Sequence, residues 1–106
     1  MPSKPATVLH VCKALGLGGT EKVLQQFVTT LDKSSFSPAV FAFSDGPRSK
    51  QIRKAGIPTF ISDDLFAVLE KIRPQIVHIH RAGWPDPDLL RPIKMSRIPV
   101  VVETNV

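Results

Sequence analysis

Cysteine occurs once in this 106-residue chain, at Cys12, so no disulfide can form within it. No apolar run approaches the ~20 residues of a membrane-spanning helix. The opening Met1-Pro-Ser-Lys-Pro5 is not followed by the apolar stretch of a secretory signal. These absences together predict a cytoplasmic, reducing location. Tyrosine is missing and tryptophan occurs once. The basic residues are scattered and no groove-reading motif occurs, so nucleic acid is not an expected partner. Internal repeats, low-complexity segments and linkers are also missing.

What remains is ordinary globular composition, with 42% hydrophobic and 22% charged residues. The length allows one domain at most. Fourteen Lys and Arg against nine Asp and Glu give a net charge of +5. That excess reads as a solvated surface or as a positive rim for phosphate or anionic lipid.

Apolar patterning alternates between strand and helix. Strands are expected at Ala6–Cys12, Pro38–Phe43, Ile57–Ile61, Gln75–His80 and Pro99–Thr104. Helices are expected at Thr20–Asp32, Pro47–Ala55, from an Asp63 or Asp64 cap to Pro74, and at Asp86–Ser96, the last beginning late or kinking at Pro92. Gly56 suits the end of the second helix. This rhythm predicts an α/β fold, a Rossmann-like parallel sheet of five strands in order 3-2-1-4-5 with helices on both faces. The fifth strand, with its three valines, would be an open edge prone to self-association. A complete domain of this kind usually carries further elements, so residues 1–106 read as a partial domain, a fragment.

Two segments carry the chemistry. In Gly16-Leu-Gly-Gly-Thr-Glu-Lys22, glycines precede a helix with Thr20 as a possible N-cap. Free N–H groups at a helix start attract phosphate, and glycine permits close approach. The same glycines could simply form a sharp turn. A dinucleotide fingerprint is disfavoured because Glu21 stands at its third glycine and Lys13-Ala-Leu15 separates the expected strand end from Gly16. Asp45 lies beyond Ser44 in a loop, a poor ribose ligand. The second segment, Pro74-Gln-Ile-Val-His-Ile-His80, is a strand ending in polar side chains. In an open α/β sheet both segments reach the carboxyl edge, where ligands bind.

His10-Val-Cys-Lys-Ala-Leu-Gly-Leu-Gly-Gly-Thr-Glu-Lys22 resembles the opening of family 4 glycosyltransferases of the GT-B fold, where a G-G-[AT]-E loop follows the first strand. Pro74 to His80 resembles their fourth strand, P-D-[IV]-[IV]-H-x-H. The likeness spans the chain and matches about the first half of that family's N-terminal lobe. It implies the acceptor-side half of a two-lobed enzyme. The reaction implied is retaining transfer of a sugar from a nucleotide-diphosphate donor to an acceptor hydroxyl on a sugar, glycan or lipid-linked molecule. It implies no cofactor and no metal. The diphosphate-binding groups belong to a C-terminal lobe absent here, so the fragment alone is expected to be inactive. Peripheral contact with the inner face of a membrane is a further expectation.

The resemblance brings Gly18, Gly19, Thr20 and Glu21 to the donor, with Arg81, Trp84 and Asn105 as further binding residues. His80 and Glu103 are the catalytic candidates. Many relatives carry a histidine where this chain has Asn105, which can donate a hydrogen bond but cannot act as a base. Plainer readings accompany each: Glu103 can cap a loop, Trp84 can anchor one, and Cys12 is a small buried apolar residue. His10 reads as structural. His78 and His80 share a strand face, but no third metal ligand is evident. Arg48, Lys50, Arg53 and Lys54 form a basic helical patch, solvated or facing anionic membrane. Two other functions compete. One is a stand-alone nucleotide- or phosphate-binding α/β module. The other is a receiver-like signalling domain, disfavoured because the acidic cluster and lysine it needs are missing.

Overall fold

The computed structural model describes residues 5–16, 18–81 and 86–105. Five strands alternate with four helices: β1 (Ala6–Ala14), α1 (Gly19–Thr30), β2 (Phe36–Ser44), α2 (Pro47–Lys54), β3 (Thr59–Ile61), α3 (Leu65–Ile72), β4 (Ile76–Arg81), α4 (Pro87–Met95) and β5 (Val100–Asn105). All strand pairs are parallel and the order is β3-β2-β1-β4-β5, the expected Rossmann-like arrangement.

Alternation along the strands divides the core in two. Leu9, Val11, Ala39, Phe41, Val77 and Ile79 turn to one face and pack with Leu65, Val68 and Leu69 of α3 and Leu89 and Ile93 of α4. Cys12, Val40 and Ala42 turn to the other and pack with Leu24 and Val28 of α1 and Ile52 of α2.

Local chemistry sets the element ends. Asp64 caps α3, accepting from the Ala67 N–H at 3.0 Å. Pro47 and Pro87 open α2 and α4, where a missing N–H costs nothing. Gly56, with φ +83°, takes the left-handed conformation just past α2. Strand β1 runs two residues further than the pattern indicated, to Ala14, because Ala14 pairs with Ser44. Helix α4 starts at Pro87 and continues through Pro92 to Met95, so it does not begin late. The N-cap of α1 is Gly18, with no side-chain cap; Thr20 lies inside the first turn.

The turn after β1 is clamped by the next crossover. Leu15 donates to the Ser44 carbonyl at 3.3 Å, and its own carbonyl accepts from the Arg48 N–H at 3.1 Å. Gly46 makes this approach possible: a Cβ there would lie 2.2 Å from the Leu15 oxygen. Replacement Gly46→Ala is therefore expected to destabilise the chain by about 1–3 kcal/mol, the range for overpacking. Gly16→Ala, with nothing within 4 Å of the added carbon, should change stability by no more than about 0.5 kcal/mol. Urea denaturation of the two variants checks the contrast.

Candidate functional site

Parallel strands deliver their last residues to one edge, and three of the expected site segments meet there. Strand β1 ends at Ala14, β4 at Arg81 and β5 at Asn105, with Arg81 opposite Asn105 in register. Helix α1 begins at the same margin with Gly18, Gly19, Thr20 and Glu21. Because Gly18 has no side chain to cap the helix, its first N–H groups lack a side-chain acceptor at the cap. The Glu21 carboxylate folds back toward this cap: a Cβ on Gly18 would come within 2.6 Å of Glu21 Oε2. An acid in the first turn complements the helix dipole and occupies space an incoming anion would need.

The margin is braced by an ion pair that pattern reading does not reveal. Lys13 Nζ, at the end of β1, lies 2.6 Å from Asp86 Oδ2, while Asp86 Oδ1 accepts from the Asp88 N–H at 2.9 Å. Asp86 thus caps α4 and ties it to the central strand. On the α3/α4 side, Phe43, Asp63, Asp64, Asp88 and Arg91 line a cleft of about 370 Å³. Among the described residues, none of the expected site residues lines it.

The two catalytic candidates do not come together. Strand register pairs Ile79 with Glu103 and His80 with Thr104, so Glu103 shares the α3/α4 face and His80 the α1 face. Glu103 Oε2 accepts from Arg81 Nη2 at 3.1 Å, an ion pair across neighbouring strands. His80 is only 1% exposed and lies under Phe27 of α1, ring centroids 5.6 Å apart. Its imidazole is part of the sheet's interior surface. Trp84, with residues 82–85, lies outside the described residues. In the basic patch, Arg48 Nη1 donates to Gln25 at 2.8 Å and Arg53 Nη2 to the Thr59 carbonyl at 3.4 Å, ties that hold the two guanidinium groups against their neighbours.

The structure gathers a group of residues whose association is hidden in the sequence. His10 pairs in register with His78, and His80 follows on the same face. His10 Nδ1 lies 3.0 Å from His80 Nε2, and the His78 and His80 rings stack with centroids 4.0 Å apart. His78 Nε2 meets Thr104 Oγ1 at 2.6 Å. His10 Nε2 and His80 Nδ1 are buried without a hydrogen-bond partner. Desolvation, reinforced by the neighbouring imidazoles, lowers His10 and His80 to about 3. Burial also lowers His78. Burial pushes the Cys12 thiol up to about 12, with the Glu21 carboxylate adding to the effect. Cys12 is therefore an inert thiol, as its apolar surroundings suggest.

Comparison with family models, with curated proteins and with solved structures finds no match to this chain. Among the described residues, no helix is long and apolar enough to cross a membrane.

The buried imidazoles give stability a definite pH dependence. Unfolded histidine takes up a proton near 6.5, whereas folded His10 and His80 do so only near 3. Stability is complete above about 6.5 and falls below it, by about 1.4 kcal/mol per pH unit for each histidine. Unfolding free energies from urea denaturation in metal-free buffer should fall by roughly 2–4 kcal/mol between pH 7 and pH 5. His10→Phe should flatten that slope. The depressed Asp32 and Asp45 carboxyls titrate below this window.

Proposed function

We propose that this chain is the acceptor-side part of a retaining glycosyltransferase of the GT-B type. In this reading a sugar passes from a nucleotide-diphosphate donor to an acceptor hydroxyl, and a second lobe supplies most of the donor's binding groups. The observation that carries it is the convergence of the uncapped start of α1 with the tips of β4 and β5 on one carboxyl margin. Ligands of open α/β sheets bind at such margins. The G-G-T-E turn and the H-I-H strand end supply the family likeness.

Each residue then has a role. Gly18 and Gly19 let the backbone approach the diphosphate or the transferred sugar once the Glu21 carboxylate swings away from the cap, with Thr20 beside them. Arg81, held toward Glu103, contributes positive charge at the mouth of the cleft, and Asn105 offers hydrogen bonds to hydroxyl groups. Glu103 is tied up by Arg81 and acts chiefly to orient that guanidinium. His80 acts from beneath the surface, shaping the floor of the site rather than touching substrate. A wall of this kind lacks the charge stabilisation assembled across the whole cleft, so transfer needs the partner lobe. The lipid-linked acceptor and the peripheral membrane contact belong to the same reading.

One observation favours the second reading, a nucleotide-binding module without catalysis. With β1 reaching Ala14, only Leu15 separates the strand from Gly16, a shorter turn and closer to a dinucleotide loop than the sequence indicated. Asp45 directly follows β2, as a ribose-binding acid would, but its Oδ1 already accepts from the Gly46 N–H at 2.7 Å. Glu21 still occupies the position of the third glycine.

Titration of the isotope-labelled chain with nucleotide-diphosphate sugars, followed by amide NMR, distinguishes the readings. The transferase half should bind weakly, with shifts centred on Gly18–Lys22, Arg81 and Asn105, and should transfer no sugar alone. Micromolar binding of the nucleotide without its sugar would favour the module. Shifts confined to other surfaces would refute both.

A further inference from the structure

We propose that His10, His78 and His80 form a binding site for a divalent transition-metal ion, Zn²⁺ being the expected occupant. The proposal is independent of the glycosyltransferase reading and departs from that reading's expectation of no metal. One ring nitrogen from each histidine can be chosen so that all three lie within 4.8 Å of one another. Two of the nitrogens, His10 Nδ1 and His80 Nε2, are already 3.0 Å apart. Ligands on one tetrahedral zinc ion, at 2.0–2.1 Å each, stand roughly 3.3–3.4 Å apart. Small rotations of the rings would bring the third nitrogen into range.

The cluster is not self-sufficient as a hydrogen-bond network. A neutral imidazole has one N–H and one lone pair. Where His10 and His80 face each other, one donates and the other accepts. The far nitrogens, one N–H and one lone pair, then have no partner, and both are buried. A metal ion on the facing nitrogens would replace their mutual hydrogen bond and leave both far nitrogens as N–H groups. The orphans therefore mark a poor polar network, and the facing nitrogens mark the ligand positions. Leaving such groups unmatched costs about 1–3 kcal/mol each. The opposite face of the same two strands solves the packing problem with Leu9, Val11, Val77 and Ile79. Three imidazoles in place of aliphatic side chains are a poor apolar core and a good nitrogen donor set.

The surroundings specify the kind of site. Burial keeps the rings unprotonated at neutral pH, the form that binds metal. Phe27 covers them edge-on, with its centroid 4.8 Å from that of His78. Among the described residues no carboxylate or thiolate belongs to the group; Cys12 Sγ instead donates to the Ala14 carbonyl at 3.3 Å. An all-nitrogen set favours Zn²⁺, Cu²⁺, Ni²⁺ or Co²⁺ over Mg²⁺ and Ca²⁺. Three ligands leave a fourth position, as in zinc sites that hold water or a small anion. The route to it runs along β5, where Val100 and Val102, opposite Ile76 and His78, are 47% and 42% exposed. Thr104, on His78 Nε2, stands at that entrance.

The chain contains three histidines in all, so an untagged preparation has no other imidazoles to confuse the measurement. The test is titration of the chelator-stripped, untagged chain with Co²⁺ and Zn²⁺. The expected result is one equivalent bound, the visible absorption of tetrahedral Co²⁺, its displacement by Zn²⁺, and a melting temperature that rises with Zn²⁺. His78→Asn, at the most accessible ligand, should weaken Zn²⁺ binding at least 100-fold while the far-ultraviolet circular dichroism stays that of the parent. Should that variant fail to fold, the wild-type titration still decides. Absence of stoichiometric Co²⁺ binding below about 100 μM, or binding that His78→Asn and His10→Phe both leave unchanged, would overturn the proposal.

Discussion

The pairing of β1 with β4 in a single parallel register determines what each face of the sheet presents. His10 stands opposite His78 and Val11 opposite Ile79. A slip of one residue would send the imidazoles of one strand into the aliphatic layer under α3 and α4. In the observed register Leu9, Val11, Val77 and Ile79 fall on that face and the three histidines on the other, beneath α1. The sheet therefore has one face that is conventionally apolar and one with a polar seam at its centre.

The carboxyl margin depends on that same central strand. Lys13, at its end, holds the start of α4 through Asp86, and Leu15, just beyond, is gripped by the first turn of α2. Gly46 allows the two backbones to touch. Through these contacts the start of α1 is placed by the two crossovers that flank it, while its own cap contributes no side chain. A ligand at this margin would meet backbone N–H groups held by the scaffold rather than by long, mobile side chains, which favours a pre-organised site.

Much of the fold is legible in the order of residues. Apolar runs of strand length alternate with one-sided helical stripes, and right-handed crossovers then leave few sheet orders to choose from. The Asp64 cap and the Gly56 stop are local, and local chemistry suffices to place them. What resists reading is long-range. His10 and His80 are 70 residues apart, and alone on its strand His10 looks like any buried polar residue. The signal is there once the sheet order is adopted: if β1 and β4 are parallel neighbours, a histidine on the first and an H-x-H pair on the second can share a face. The same parity separates His80 from Glu103, which proximity in sequence to one margin conceals. The Lys13–Asp86 bridge and the Gly46 contact are likewise products of assembly. Thr20 looks like an N-cap because it has the right side chain, but the helix begins before it, at a glycine.

Strand β5 pairs with β4 alone among the described strands, and its Val100, Val101 and Val102 are all substantially exposed. An edge strand of a parallel sheet turns alternate amides toward solvent, so about half of its N–H groups have no ladder to protect them. Such a border opens before the central strand β1, which is paired on both sides. Peeling β5 away would uncover His78 before either of the other imidazoles, which makes the outermost strand a door onto the polar seam at the middle of the molecule.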